Sequence, residues 1–143
     1  MNLKFPNSDI DFTITPAYFL GDFNIYDREE SLGEYLNKFN PNNSEELCLV
    51  LEEKFFNGGR VLELSLEHKL ELLRVLANAL AQKEYDFASV IDNQDDEYFY
   101  LPYSWAIKNP RNFFETIYSQ MYKHWSKDFI KAGFDFSEEV EVL

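Results

Sequence analysis

The sequence predicts an α+β fold of about four helices packed with a small, mainly antiparallel sheet. Three observations support this. Apolar residues recur at helical spacing in four long segments. Short alternating or aromatic-rich runs lie before the first of these segments and around an acidic loop, without regular strand–helix alternation. The length of 143 residues, 45% of them hydrophobic, suits one domain with a real core, taken as 1–143. An all-α fold with extended connections is the alternative.

Taking the elements in order, Ile10, Phe12 and Ile14 alternate with Asp11, Thr13 and Thr15, the period of a half-buried strand. Pro16 breaks that run. Tyr18 to Tyr26 is aromatic-rich and reads as a second strand interrupted at Gly21-Asp22, so that the region forms a hairpin or bent ribbon. Asp27-Arg28-Glu29-Glu30 opens the first helix, with acids where the helix dipole favours them. Leu32, Tyr35, Leu36 and Phe39 continue it, and Asn40-Pro41-Asn42-Asn43 ends it as a turn. Ser44 reads as the N-cap of a second helix, with Leu47, Val50, Leu51 and Phe55 on its buried face and Asn57-Gly58-Gly59 as its stop.

Val61 to Leu66 alternates and reads as a short strand or as a lead-in to the next helix. That helix carries Leu66, Leu70, Leu73, Ala77 and Leu80 on one face, widened by Leu72, Val75, Leu76 and Ala79. So broad an apolar surface predicts a central, mostly buried helix. Phe87–Ile91 and Tyr98–Leu101 read as strands flanking the polar run Asp92-Asn93-Gln94-Asp95-Asp96-Glu97. The last helix has the strongest signals: Asn109 to cap it, Pro110 at its first position and Gly133 at its end. Phe114, Ile117, Tyr118, Met121, Trp125 and Phe129 form its aromatic stripe, read as core. The tail 137–143 is acidic and reads as loose.

The net charge of −13, from 26 acidic and 13 basic residues, repels phosphate backbones and disfavours general nucleic-acid binding. It favours fast association with a basic partner. The N-terminus shows no signal-peptide core, and no run approaches the length of a membrane span, so a cytoplasmic protein without membrane contact is expected. The lone Cys48, within Leu47-Cys48-Leu49-Val50-Leu51, excludes an internal disulfide and reads as a buried, inert thiol.

Catalytic and metal motifs are missing. Glu67, His68 and Glu71 resemble a metal or acid–base set on a helix, but no second histidine completes a zincin pattern, so the set reads as an exposed face with local ion pairs. His124 reads as a surface contact with Asp128. An EF-hand starting at Asp92 requires Gly and Glu where the chain has Glu97 and Tyr103. Gly58-Gly59 lacks the flanks of a phosphate loop, and no Gly-x-Ser-x-Gly elbow occurs. Lys123, Lys127 and Lys131 form a solvated stripe. No cofactor is expected.

The stretch from Asp92 to Trp105 places carboxylates beside Tyr98, Phe99, Tyr100, Tyr103 and Trp105. Rigid aromatics of this kind act as binding hot spots, although singly they more often fill cores. The residues Leu101-Pro102-Tyr103-Ser104-Trp105-Ala106-Ile107-Lys108, followed by Arg111-Asn112-Phe113-Phe114, resemble a Leu-Pro-x-Ser-Tyr-Trp segment. That segment occurs in some bacterial immunity proteins of polymorphic or contact-dependent toxin systems, which are also small, acidic and aromatic-rich. The match spans about a dozen residues, and no residue roles carry over. The resemblance implies a cytosolic antidote that binds a basic protein toxin, such as a nuclease, by covering its active site or substrate groove. The candidate partner-binding residues are Asp92, Asp95, Asp96, Glu97, Tyr98 and Tyr100, with Glu29, Glu30 and Glu34 as a second acidic patch. Two other readings are a nucleic-acid mimic that inhibits a DNA-binding protein, and a small metal-dependent enzyme built on Glu67, His68 and Glu71.

Overall fold

The computed structural model describes residues 3–58, 60–92, 99–102 and 104–133. Its architecture is helical. A 3-10 helix, Pro16–Phe23, is followed by a π-helical turn, Glu29–Gly33, that runs into the short α1, Glu34–Leu36. Next come α2, Ser44–Leu51, with a π-helical extension, Glu52–Phe56, and a 3-10 turn, Arg60–Glu63. Then follow α3, Leu66–Ala81, α4, Phe87–Asp92, and the long α5, Pro110–Lys131. Helix α5 is the hub: α3, α2 and α4 all pack on it.

The expected sheet is corrected. Among the described residues there is no strand, only an isolated antiparallel bridge between Lys4 and Asp11. The alternation at Ile10, Phe12 and Ile14 does turn Phe12 into the core, but Ile10 is left 68% exposed. The Phe5 and Phe12 amides bond to Ile10 and Leu3, and among the described residues no further segment pairs with this ribbon. Two residues of ladder do not make a sheet.

The predicted strand at Tyr18–Tyr26 is instead 3-10 helix as far as Phe23, followed by a turn. Pro16 occupies its first turn, where its fixed φ and missing N–H carry no penalty, and Phe19, Leu20 and Phe23 are fully buried. Val61–Leu66 is the lead-in to α3: Arg60–Glu63 form the 3-10 turn and Leu66 opens the helix, and Leu62 is exposed. Phe87–Ile91 belongs to α4. Asp86 caps that helix: its carboxylate accepts from the Ser89 amide at 3.1 Å and from the Ser89 hydroxyl at 2.6 Å. Of Tyr98–Leu101, the described part makes one backbone bond, Ile25 N–H to Tyr100 C=O at 2.7 Å.

The four helical segments read from periodicity are all present, and the details follow from their caps. The cap of α2 is Asn43, one residue before the expected Ser44, and its side chain accepts from the Glu46 amide. Asn109 caps α5 with Pro110 at its start, and Gly133 follows its end with φ +83°. In α3, Leu72, Leu73 and Leu76 are fully buried, and in α5 Phe114, Ile117, Tyr118, Met121, Trp125 and Phe129 face the core together with Phe113. Each fully buried Leu or Phe contributes roughly 1.5–3 kcal/mol. No helix among the described residues is long and apolar enough to cross a membrane.

The segment after the acidic loop is pinned to the N-terminal third of the chain. Trp105 is buried against Phe23, and its indole N–H donates to the Leu36 carbonyl at 2.9 Å. Ser104 donates to the Asn37 side chain, and the Asn42 amide group bonds both the Ala106 carbonyl and the Lys108 N–H.

Candidate functional site

Two surface features stand out, and both are built on the turn that links the 3-10 helix to the Glu29–Leu36 segment. The turn runs from Ile25 to Arg28, closed by Arg28 N–H to Ile25 C=O at 2.8 Å, and Asp27 takes a left-handed φ of +59°. Asn24 organises it. Its side-chain oxygen accepts from the Tyr26 amide at 3.1 Å and from the Tyr100 amide at 3.0 Å. With the Ile25–Tyr100 bond this satisfies both backbone groups of Tyr100 and holds its ring stacked on Tyr26, centroids 6.0 Å apart and planes 20° apart. Tyr100 remains 44% exposed.

Asp27 and Glu29 border this pair. Glu29 and Glu30 are exposed in the π-helical turn, and Glu34 is exposed at the start of α1. The Tyr26 phenol is pushed above its ordinary value by partial burial, then by Asp27, Tyr100 and Glu29. Of the residues named from sequence, Tyr100 is brought onto Tyr26 by the pairing with Asn24 and Ile25, and Asp27 and Glu29 act on the Tyr26 phenol. Asp92 is exposed at the end of α4. Asp95, Asp96, Glu97 and Tyr98 lie outside the described residues. Sequence reading missed Tyr26 and Asp27. The Asx-turn signature Asn24-Ile25-Tyr26 was the available signal, but the pairing with Tyr100 bridges 76 residues.

The second feature is a half-open cleft of about 570 Å³ lined by Gly21, Asp22, Arg28, Ser31, Leu32, Tyr35, Lys54, Gly58 and Arg60. Arg60 lies across its floor. Nε donates to Asp22 Oδ1 at 3.2 Å, Nη2 donates to the Tyr18 carbonyl at 2.7 Å, and the guanidinium covers the Tyr18 ring at 4.1 Å. A Cβ on Gly21 would stand 2.5 Å from Nη2, so glycine is what lets the guanidinium lie on the backbone. Burial pushes the Tyr18 phenol up; Arg60 opposes the shift and Asp22 adds to it.

Both histidines have structural partners. His68 is buried, contrary to the exposed face expected for Glu67, His68 and Glu71. The Ser65 amide donates to its Nδ1 at 3.2 Å, completing the α3 capping box, so the proton sits on Nε2 and is donated to the Lys4 carbonyl. Neither ring nitrogen retains a free lone pair for a metal. Among the described residues no group of three or more His, Cys, Asp or Glu side chains is placed to hold one. His124 stacks on Phe56 at 4.0 Å and contacts Glu52 at 3.1 Å, a partner on the α2 extension in place of the expected Asp128. The Cys48 thiol is half-buried, and burial raises it, with Lys123 opposing and Glu45 adding, which disfavours the reactive thiolate.

No family model, curated protein or solved structure matches this chain.

Proposed function

We propose that this protein is an inhibitory binding protein of the immunity type, which neutralises a basic toxin by covering its active site or substrate groove. The observation that supports the reading best is the stacked Tyr26–Tyr100 pair, backbone-clamped by Asn24 and Ile25 and bordered by Asp27 and Glu29. A rigid pair of tyrosines loses little entropy on docking, and their hydroxyls bond across an interface. The surrounding carboxylates steer a cationic partner and stand where its substrate phosphates would lie. The net charge of −13 extends that field over the whole molecule.

The test is co-expression with the product of the adjacent reading frame, with growth and complex formation as readouts. Under the proposal the protein restores growth, co-purifies at one-to-one stoichiometry, and loses the complex at high salt when Tyr100 is replaced by Ala. Full toxicity in its presence, with no complex at low salt, overturns it.

A further inference from the structure

We infer that the cleft between the Glu29–Leu36 segment and the α2 extension is a binding site for a phosphate monoester. The inference is independent of the protein-binding reading. In a chain with twice as many acids as bases, three cations line this one cleft: Arg28, Lys54 and Arg60. The single acid in its wall, Asp22, is already engaged by Arg60. The cleft thus carries a surplus of two positive charges, which matches a phosphate monoester dianion. The exposed acids alongside, Glu30, Glu34 and Glu53, are not part of its wall.

Two of the cations, Arg28 and Lys54, have no carboxylate partner among the described residues. Lys54 Nζ sits 4.5 Å above the Tyr35 ring, and no carboxylate among the described residues forms an ion pair with it. Arg28 places Nη2 on the Asn24 carbonyl at 2.6 Å, a neutral acceptor that orients the guanidinium without cancelling its charge. Arg60 is held from behind by Asp22 and Tyr18, and its side chain is still 44% exposed. Preorganised guanidinium and ammonium groups in a concave wall are what phosphate recognition requires.

A second observation points the same way. Among the described residues the buried Tyr35 hydroxyl has no hydrogen-bond partner, and Tyr35 belongs to this cleft wall. Leaving a buried hydroxyl unsatisfied is costly, and a phosphate oxygen would accept from it. Ser31 adds a hydroxyl whose own acceptor, the Arg28 carbonyl, is 3.4 Å away. The volume falls within the range of small-molecule pockets, roughly 300–1,000 Å³.

The experiment titrates the whole protein with phenyl phosphate and, separately, with inorganic phosphate and benzoate at constant ionic strength, followed by amide chemical shifts and thermal stability. The expected result is saturable one-to-one binding of phenyl phosphate that shifts the Ser31, Leu32, Tyr35 and Gly58 amides and raises Tm. Benzoate should bind about tenfold more weakly, having one charge fewer. K54A and Y35F should each weaken phenyl phosphate about tenfold, whereas K127A on the α5 stripe leaves it unchanged. Y35F removes one hydroxyl and nothing else, so it reports on the site even where K54A disturbs folding. Inorganic phosphate binding as tightly as phenyl phosphate reassigns the cleft to the free ion. Equal binding of benzoate, shifts spread over the Lys127 face, or no saturation overturns the proposal.

Discussion

His68 Nε2–H donates to the main-chain carbonyl of Lys4, 64 residues away, while Nδ1 of the same ring receives the Ser65 amide at the start of α3. One imidazole therefore closes a helix cap and ties down the N-terminal ribbon, with Phe12 edge-on to it at 4.8 Å. The ribbon is otherwise held by its own Lys4–Asp11 bridge and ion pair and by Phe12 in the core. Replacing His68 by Ala removes both bonds and leaves the Lys4 carbonyl and the Ser65 amide unsatisfied. The loss should be about 2 kcal/mol or more. Urea denaturation measures it, and proteolysis should become faster first within residues 3–12.

Arg111 makes a comparable connection between the ends of two helices. At the second position of α5 its guanidinium donates to the carbonyls of Leu80, Gln82 and Lys83 where α3 finishes, and it lies 5.0 Å over the Phe87 ring. A cation is misplaced at a helix N-terminus but well placed on the last carbonyls of another helix. R111A should therefore lower stability by about 1–3 kcal/mol. R111K should recover less than half of that, because an ammonium lacks the planar fork that reaches several carbonyls. Equal stability of the two variants in chemical denaturation would show that charge alone matters there.

Acid should release α4 before the rest of the fold. Asp86 titrates below its ordinary 3.8, chiefly because the Ser89 hydroxyl bonds its charged form, then the Ser89 amide, with desolvation opposing and the Ala88 amide adding. A depressed carboxylate contributes stability that is present above the unfolded value of 3.8 and lost as pH falls through the lower folded value. D86A should thus lower Tm at neutral pH, and the difference from wild type should close on acidification below 3.8. Amide exchange of Ser89 and Val90 across the same range reads the helix directly. A difference that persists unchanged into acid contradicts the assignment of the cap to the ionised form.

Kinetics should separate the two parts of the proposed interface. Glu29→Lys with Glu30→Lys removes steering charge from the edge of the tyrosine pair, so it should slow association and flatten its salt dependence while leaving dissociation nearly constant. Tyr100→Ala takes away a clamped aromatic contact and should speed dissociation by a factor of ten or more, for a hot-spot loss of about 2 kcal/mol. Surface plasmon resonance against the partner at two ionic strengths distinguishes them. Both variants acting on the same rate constant would mean that the acids and tyrosines do not form one interface.

Much of the helical part of this protein was legible without coordinates, for a physical reason. A cap, a turn proline or a terminal glycine acts within one turn of chain, and so Asn109, Pro110 and Gly133 bound α5 as their types require. The stripe from Phe114 to Phe129 likewise reports a burial that any globular context would impose. Strands are different, since alternation only proposes a face and a sheet needs a second segment to accept its hydrogen bonds. Phe12 found its core, but its ribbon met a single bridge. The aromatic run after Pro16 shows the same limit, because 3-10 and extended backbone can each bury its phenylalanines and local chemistry does not choose between them.

The acids Glu29, Glu30 and Glu34 had to be exposed whatever the fold, so their side of the candidate site was written in composition alone. The separations of the rest are not local: Tyr100 reaches Asn24 across 76 residues, and Arg60 reaches Asp22 across 38. Sequence determined which side chains were available to bind and which helices would form, because those depend on charge and on neighbours within a turn. The tertiary structure alone decided that a tyrosine pair would sit beside the acids and that three cations would share one cleft, because only packing α2 and α3 on α5 brings such distant segments together.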